Sequence, residues 1–312
     1  MSIQWYPGHM RKASNEMIEA LPQVNIVVEV LDARIPFSSS NPFIQGLCTD
    51  KPYIKLLNKT DLADPGITQQ WQDYFEQQSN TKTMALDLKN HDPSAKIIDL
   101  INKLYPQREG GNTLAMVSGI PNVGKSSLIN CLAGRHIAKT GDEPAITKGQ
   151  QKINLRNGIM LLDTPGILWP KIENPLGSYR LATTGAIKDT AVSYEDIAFF
   201  AAEFLLKKYP ERLKERFNIV DLPQTEIDLL EIIGAQRGCL RAGGRVDLER
   251  VSTIFVNELR AGMLGPLGFE TPEMIDAEMK QVAVLKAEKE EREKERLEKA
   301  AARRRKAKAN RR

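Results

Sequence analysis

The chain has 312 residues, 41% of them hydrophobic and 27% charged, enough for one large folded domain and a smaller companion with the make-up of a soluble globular protein. Its formal net charge of +4 is unevenly spread: residues 301–312 carry seven Lys/Arg and no acid, and the rest holds 37 basic against 40 acidic residues, so the tail reads as a nucleic-acid-seeking arm or a solvated end. Three widely spaced cysteines, Cys48, Cys131 and Cys239, argue against a disulfide framework or zinc site, and the lack of a secretory leader or a membrane-length apolar run predicts a cytoplasmic protein with no membrane partner.

In chain order, residues 24–32 (VNIVVEVLD) form an apolar, β-branched run expected of a buried parallel strand. A second run spans Lys51–Leu57 and a weaker third spans Thr81–Leu86, with a helix between them after the Asp64-Pro65-Gly66 turn. Pro93–Tyr105 places Ile97, Ile98, Ile101 and Leu104 on one helical face. The next strand is Asn112–Ser118, followed by a glycine-containing loop and the helix SSLINCLAG. Gln151–Leu155 and Gly158–Asp163 flank Asn157-Gly158, which predicts a hairpin. Strands alternating with helices predict an α/β, doubly wound, mostly parallel sheet. Beyond about residue 190 only helical periodicity remains, at Tyr194–Tyr209, Thr225–Ile233 and Asp247–Met263, which predicts a small all-α domain. Past Met279 the chain is nearly all Ala, Glu, Lys and Arg. The expected division is 1–185, 190–280 and a charged tail, 281–312.

Gly119–Ser126 (GIPNVGKS) matches GxxxxGK[ST] between a strand and a helix. Such a loop cradles phosphates with its backbone N–H groups and the amino end of the following helix. Asn122, Val123, Gly124, Lys125, Ser126 and Ser127 are therefore expected at the phosphates of a nucleoside triphosphate. Lys125 would reach the β- and γ-phosphates, and Ser126 would offer its hydroxyl to Mg2+. Asn58-Lys59-Thr60-Asp61 closes the second strand. The Asp61 carboxylate can accept guanine N1–H and N2–H, a donor pair that adenine lacks; Asn58 can bond the other base edge, and the Lys59 stem can cover the ring. Asp163-Thr164-Pro165-Gly166 follows the last strand, placing Asp163 to hold Mg2+ and the Gly166 N–H to face the γ-phosphate. Thr140 and Thr147 both lie where a threonine would cover the metal; Thr147, flanked by Lys148-Gly149, is preferred.

These motifs resemble the signature of the translation-factor-related GTPases in a rotated order: NKTD, then the phosphate loop, the threonine, and DTPG last. That order is similar to the circularly permuted GTPases, a rearrangement that compact domains tolerate at surface loops. Within them, Ile3–Ala13 (IQWYPGHMRKA) and the stretch from Arg237 to Gly265 closely resemble the ribosome biogenesis GTPase A family. The resemblance covers roughly residues 1–280. It implies a GTP-hydrolysing factor for late maturation of the large ribosomal subunit, with the subunit precursor and its rRNA as partners, monomeric when free. Ile167 stands where many relatives place a water-orienting glutamine, and the resemblance moves that role to His9 in PGHM, making His9, Lys125 and Gly166 the catalytic set. It further implies that Asn122 helps hold a K+ ion beside the phosphates. The family's Ser-Ala after the third strand is replaced by Ala85-Leu86-Asp87, leaving only backbone to meet guanine O6. The competing readings are a membrane-associated or protein-effector GTPase switch and a metabolic phosphoryl-transfer enzyme. The lack of a lipid anchor weakens the first, and the lack of an acceptor-substrate constellation weakens the second.

Overall fold

The computed structural model describes residues 3–107, 111–138 and 150–309, with side chains described through residue 299. The chain divides into two compact units, one running to Thr271 and one from Pro272 onward. The second is a single charged helix, Pro272–Ala309.

The first unit is built on a six-stranded sheet. Its strands are β1 (Ile26–Asp32), β2 (Tyr53–Asn58), β3 (Thr81–Ala85), β4 (Thr113–Ser118), β5 (Gln151–Asn154) and β6 (Ile159–Asp163), in the spatial order β3-β2-β1-β4-β6-β5. Every neighbouring pair is parallel except β5 with β6. That exception is the hairpin foreseen at Asn157-Gly158, where Arg156 (φ 62°) and Gly158 (φ 83°) supply left-handed backbone. β1 and β2 are buried at every position, as expected of strands covered on both faces. The parallel strands all end at one edge, which carries Asp32, Asn58, Ser118 and Asp163 at or beside their carboxyl ends. In sheets of this kind, ligands bind at that edge.

The helices of the first unit are α1 (Gly8–Ala20), α2 (Pro36–Ser39), α3 (Pro42–Leu47), α4 (Pro65–Glu76), α5 (Ser94–Leu104), α6 (Lys125–Ala133), α7 (Pro175–Thr183), α8 (Tyr194–Lys208), α9 (Pro210–Phe217), α10 (Glu226–Gln236) and α11 (Leu248–Arg260). Several begin with the chemistry that helix starts require. The Asp64 side chain accepts from the Gly66 and Ile67 N–H groups with Pro65 in the first turn of α4, and Ser193, Thr225 and Asp247 cap α8, α10 and α11. α8 packs against α7, α10 and α11, burying Ala198, Ala201 and Ala202, whose small side chains allow a close approach. The Phe217 and Phe255 rings stack at 6.0 Å in the same cluster.

The segment that follows α11 returns to the sheet. The Leu267 N–H donates to the Leu62 carbonyl at 3.0 Å, the Asp64 N–H donates to the Leu267 carbonyl at 3.2 Å, and the Phe269 N–H donates to the Arg34 carbonyl at 2.9 Å. Glu270 is fully buried and accepts from the Ser38 N–H at 2.8 Å and from the Ser38 hydroxyl, with Arg180 Nη1 at 3.6 Å. Burial pushes its carboxyl up, against the pull of Arg180. Trp71, with no exposed surface, donates Nε1–H to the Glu270 carbonyl at 3.0 Å. Residues 262–271 thus strap the helical part onto the carboxyl edge of the sheet.

A second buried polar group sits inside the sheet itself. Glu29 and Lys55 face each other in the β1–β2 register, pair at 2.8 Å, and are both completely buried.

Candidate functional site

The site forms where β2, β4 and β6 end, and each strand hands over to a loop whose backbone only certain residues allow. After β4, Asn122 (φ 61°) and Gly124 (φ 101°) adopt left-handed backbone, and α6 begins at Lys125. At Gly124 a Cβ would come within 2.3 Å of Asn58 Nδ2, so any other side chain there displaces Asn58. Lys125 is 8% exposed and folds its ammonium back on the loop, donating from Nζ to the Ile120 carbonyl at 2.7 Å. Ser126 and Ser127 are half-buried in the first turn of the helix. Val123 is buried, and its carbonyl accepts from Asn58 Nδ2 at 2.7 Å.

Asp163 ends β6 directly beside this loop, opposite Val117 of β4. The Thr164 hydroxyl donates to the Val117 carbonyl at 2.8 Å and pins the start of the DTPG turn. Gly166 rests on the phosphate loop: a Cβ there would lie 2.8 Å from Lys125 Nζ and 3.0 Å from Pro121. Burial pushes Asp163 up to about 6, with Lys125 opposing, and burial draws Lys125 down to about 8, with Asp163 opposing. Both groups are thus held in surroundings where their charge is under-solvated, and both would gain from a ligand of alternating charge. The Ser126 hydroxyl and the Asp163 carboxylate are hard oxygen donors that fit Mg2+.

The NKTD turn lies on the other side of the loop. Lys59 has left-handed backbone (φ 66°), and its Nζ donates to Asp32 Oδ2 at 3.0 Å. Asp61 sits half-buried in the 3-10 turn Thr60–Leu62. Asn58 braces loops: besides Val123, it accepts the Leu88 N–H at 3.3 Å. The same stretch is tied down by Leu86 N–H to the Leu57 carbonyl (2.9 Å) and Thr60 N–H to the Leu86 carbonyl (3.3 Å), which places the Ala85-Leu86-Asp87 backbone against the NKTD turn.

Two features escaped the sequence reading. Asp32 is clasped by Arg34, whose Nε and Nη2 donate to its two carboxyl oxygens at 2.9 and 2.8 Å, while Lys59 takes the second oxygen as well. Burial alone would raise Asp32, but the two cations hold its carboxyl far below the usual carboxylate range. The available signal was an acid closing an apolar strand with Arg two residues on. Asn41, fully buried, donates from its N–H to Glu29 Oε1 at 2.8 Å and from Nδ2 to the Ile167 carbonyl at 3.3 Å. Through it, the residue after DTPG is anchored to the Glu29–Lys55 pair.

Two further expected participants are His9 and the side chain of Asn122. His9 lies exposed in the first turn of α1, away from the buried side of that helix. Its segment is tied to the chain beyond DTPG: Gln4 exchanges two 3.1 Å hydrogen bonds with the Ile172 backbone, and the Ile3 N–H donates to the Ser178 hydroxyl at 3.1 Å. Asn122 donates from Nδ2 to the Gly185 carbonyl at 2.8 Å. Thr147 and Thr140 lie outside the described residues.

Residues 114–216 match the family model described as a 50S ribosome-binding GTPase. The chain is 45% identical over 282 residues to the ribosome biogenesis GTPase A of Priestia megaterium, covering 87% of this chain and 98% of the relative. It is also similar to two solved structures. A GDP-bound YlqF aligns with a TM-score of 0.61 at 28% identity, covering 83% of this chain and 99% of the other. GNP-bound YlqF from T. maritima aligns with a TM-score of 0.58 at 29% identity, covering 84% and 99%.

Proposed function

Because the chain belongs to the ribosome biogenesis GTPase A family, and is a GTPase of that family, we propose that its cycle of GTP binding and hydrolysis serves late maturation of the large ribosomal subunit. The observation that supports this best is the convergence of phosphate loop, NKTD and DTPG on one sheet edge despite their rotated order in the chain.

In this reading the phosphates lie on the N–H groups of Asn122–Ser127, at the amino end of α6. Lys125 leaves the Ile120 carbonyl to meet the β- and γ-oxygens, where its charge is better solvated. Ser126, Asp163 and Thr147 hold Mg2+, which supplies neutralisation of charge on the terminal phosphate. Asp61 receives guanine N1–H and N2–H, the Lys59 stem covers the base, and Asn58 fixes both loops beneath it. The Gly166 N–H faces the γ-phosphate. Ile167 has no donor or acceptor on its side chain, which is fully buried, so it orients no water. His9 takes that role, brought in by the segment that Gln4 and Ile3 anchor beyond DTPG. Asn122 contributes to a K+ site beside the phosphates.

The proposed division is a GTPase part, 1–185, a helical part for rRNA, 190–280, and a basic tail, 281–312, that adds phosphate contacts. The protein acts as a cytoplasmic monomer that docks on the subunit precursor, and among the described residues no helix is long and apolar enough to cross a membrane. The chain enters α7 nine residues after Gly166, and α7 packs on α8 of the helical part, so loss of the γ-phosphate is passed through α7 into the helical part and resets its pose on rRNA.

Competition binding and gradient sedimentation test the two halves of this reading. Unlabelled GTP is expected to displace labelled GTP where ATP does not, and the protein is expected to comigrate with large-subunit precursors. Displacement by ATP at equal concentration rejects the base assignment, and sedimentation apart from the precursors rejects the assembly role. For the hydrolytic step, His9→Ala is expected to lower the turnover rate on the particle roughly a hundredfold while leaving GTP affinity within about twofold. An unchanged rate removes His9 from the mechanism.

A further inference from the structure

Arg34 is 2% exposed, yet its Nη1 has no hydrogen-bond partner among the described residues. Its other two nitrogens are committed to Asp32 in a forked pair, so the guanidinium plane is fixed and the remaining N–H groups have a set direction. A buried donor left unpaired is disfavoured, and one held this rigidly implies a partner that completes the site.

The backbone bonds bring one carboxylate-bearing turn to its side. Leu267 pairs with the chain that directly follows the NKTD turn, at Leu62 and Asp64, and two residues later the Phe269 N–H donates to the Arg34 carbonyl. One short segment therefore holds Arg34 and the turn bearing Asp61 side by side. Lys59, two residues before Asp61, shares Asp32 Oδ2 with Arg34. The negative charge of Asp61 also favours the positive charge of the Arg34 guanidinium.

We propose that Arg34 is a positioning residue for base recognition: anchored on Asp32, it offers Nη1–H to the Asp61 carboxylate and fixes the rotation in which Asp61 receives the guanine N1–H and N2–H. The inference rests on the role given to Asp61 above. An ionised carboxylate has about four acceptor positions, and guanine occupies two, so one bond from Arg34 does not compete with the base. Lysine cannot replace this residue, because a single ammonium cannot clasp Asp32 with two parallel bonds and still present a further N–H in a fixed plane.

The test uses the full chain with GDP and inosine diphosphate, which lacks the 2-amino group. Binding is measured by titration calorimetry for wild type, Arg34→Met and Arg34→Lys. Arg34→Met keeps the buried stem and leaves Asp32 paired with Lys59. It is expected to weaken GDP roughly ten- to a hundredfold and inosine diphosphate only a fewfold, so the wild-type preference for guanine shrinks. Arg34→Lys is expected to do the same, and supplies the result should the methionine variant not fold. Equal losses for both nucleotides, or an intact preference, would overturn the inference and leave Asp61 as the base reader. A wild-type chain that binds both nucleotides equally would instead overturn the role of Asp61, and this inference with it.

Discussion

Lys125→Ala is expected to raise the dissociation constant for GTP by roughly thirtyfold to several thousandfold, the equivalent of about 2–5 kcal/mol for removing one member of a buried charged contact. Lys125 is 8% exposed at the start of α6, and its ammonium is held by one carbonyl of its own loop. Burial already draws it down to about 8, so the folded protein gains little from its charge until phosphate oxygens are present. The substitution should therefore leave the thermal midpoint of the nucleotide-free protein within a few degrees of wild type. What it should remove is the stabilisation by ligand, about 2.7 kcal/mol at a hundredfold excess over the dissociation constant. Titration calorimetry and thermal unfolding with and without GDP check both halves. Affinity within threefold of wild type would show that this lysine does not meet the phosphates.

The second large effect concerns stability. Lys55→Met is expected to destabilise the protein by about 3–5 kcal/mol, because it strands a charge inside the sheet. Lys55 and Glu29 are each 0% exposed and pair at 2.8 Å across β1 and β2. Lys55 Nζ also donates to the Ser40 hydroxyl at 2.7 Å and sits 4.8 Å from the centre of the Phe75 ring. Methionine fills nearly the same volume but removes the cation, leaving the Glu29 carboxylate to neutral donors such as the Ser40 hydroxyl and the Asn41 N–H. Replacing both members, Glu29→Leu with Lys55→Met, should recover at least half of the loss, since no charge then remains to be desolvated. Chemical denaturation midpoints of the single and double variants measure this directly. A single variant as stable as wild type would show that breaking the Glu29–Lys55 pair leaves no costly buried charge behind. Because Asn41 links Glu29 to the Ile167 carbonyl, the single variant should also loosen the DTPG turn.

The sequence reading captured the strands closely. β1, β3 and β4 fall inside their apolar runs, β2 extends one residue past its own to Asn58, and the hairpin turned where Asn157-Gly158 indicated. These are signals of a few adjacent residues, where side-chain alternation and turn backbone decide the outcome. It missed α1, α2, α3, α7 and α9, although proline stands at the first turn of α2, α3, α7 and α9 and just before α1. α9 reads PERLKERF, too charged to show an apolar face beyond Leu213 and Phe217, and only packing reveals those two as buried. The Glu29–Lys55 pair was equally hidden. Each residue reads alone as an interruption of an apolar strand, and only the register of β1 against β2 makes them partners.

The chemistry of the site was therefore written in the sequence: an ammonium and a hydroxyl on a glycine loop, a carboxylate suited to guanine, another suited to a hard cation. Each motif is contiguous, and the bonding capacity of a side chain does not depend on the fold. What the tertiary structure decided is where those groups meet and what holds them. The order β3-β2-β1-β4-β6-β5 brings Asn58 to Val123, 65 residues away, and Asp32 to Lys59, and the strap from Leu267 to Glu270 closes over Arg34 and the NKTD turn. Strand order and register arise from burial summed over many distant contacts, and no local window of the sequence contains that sum.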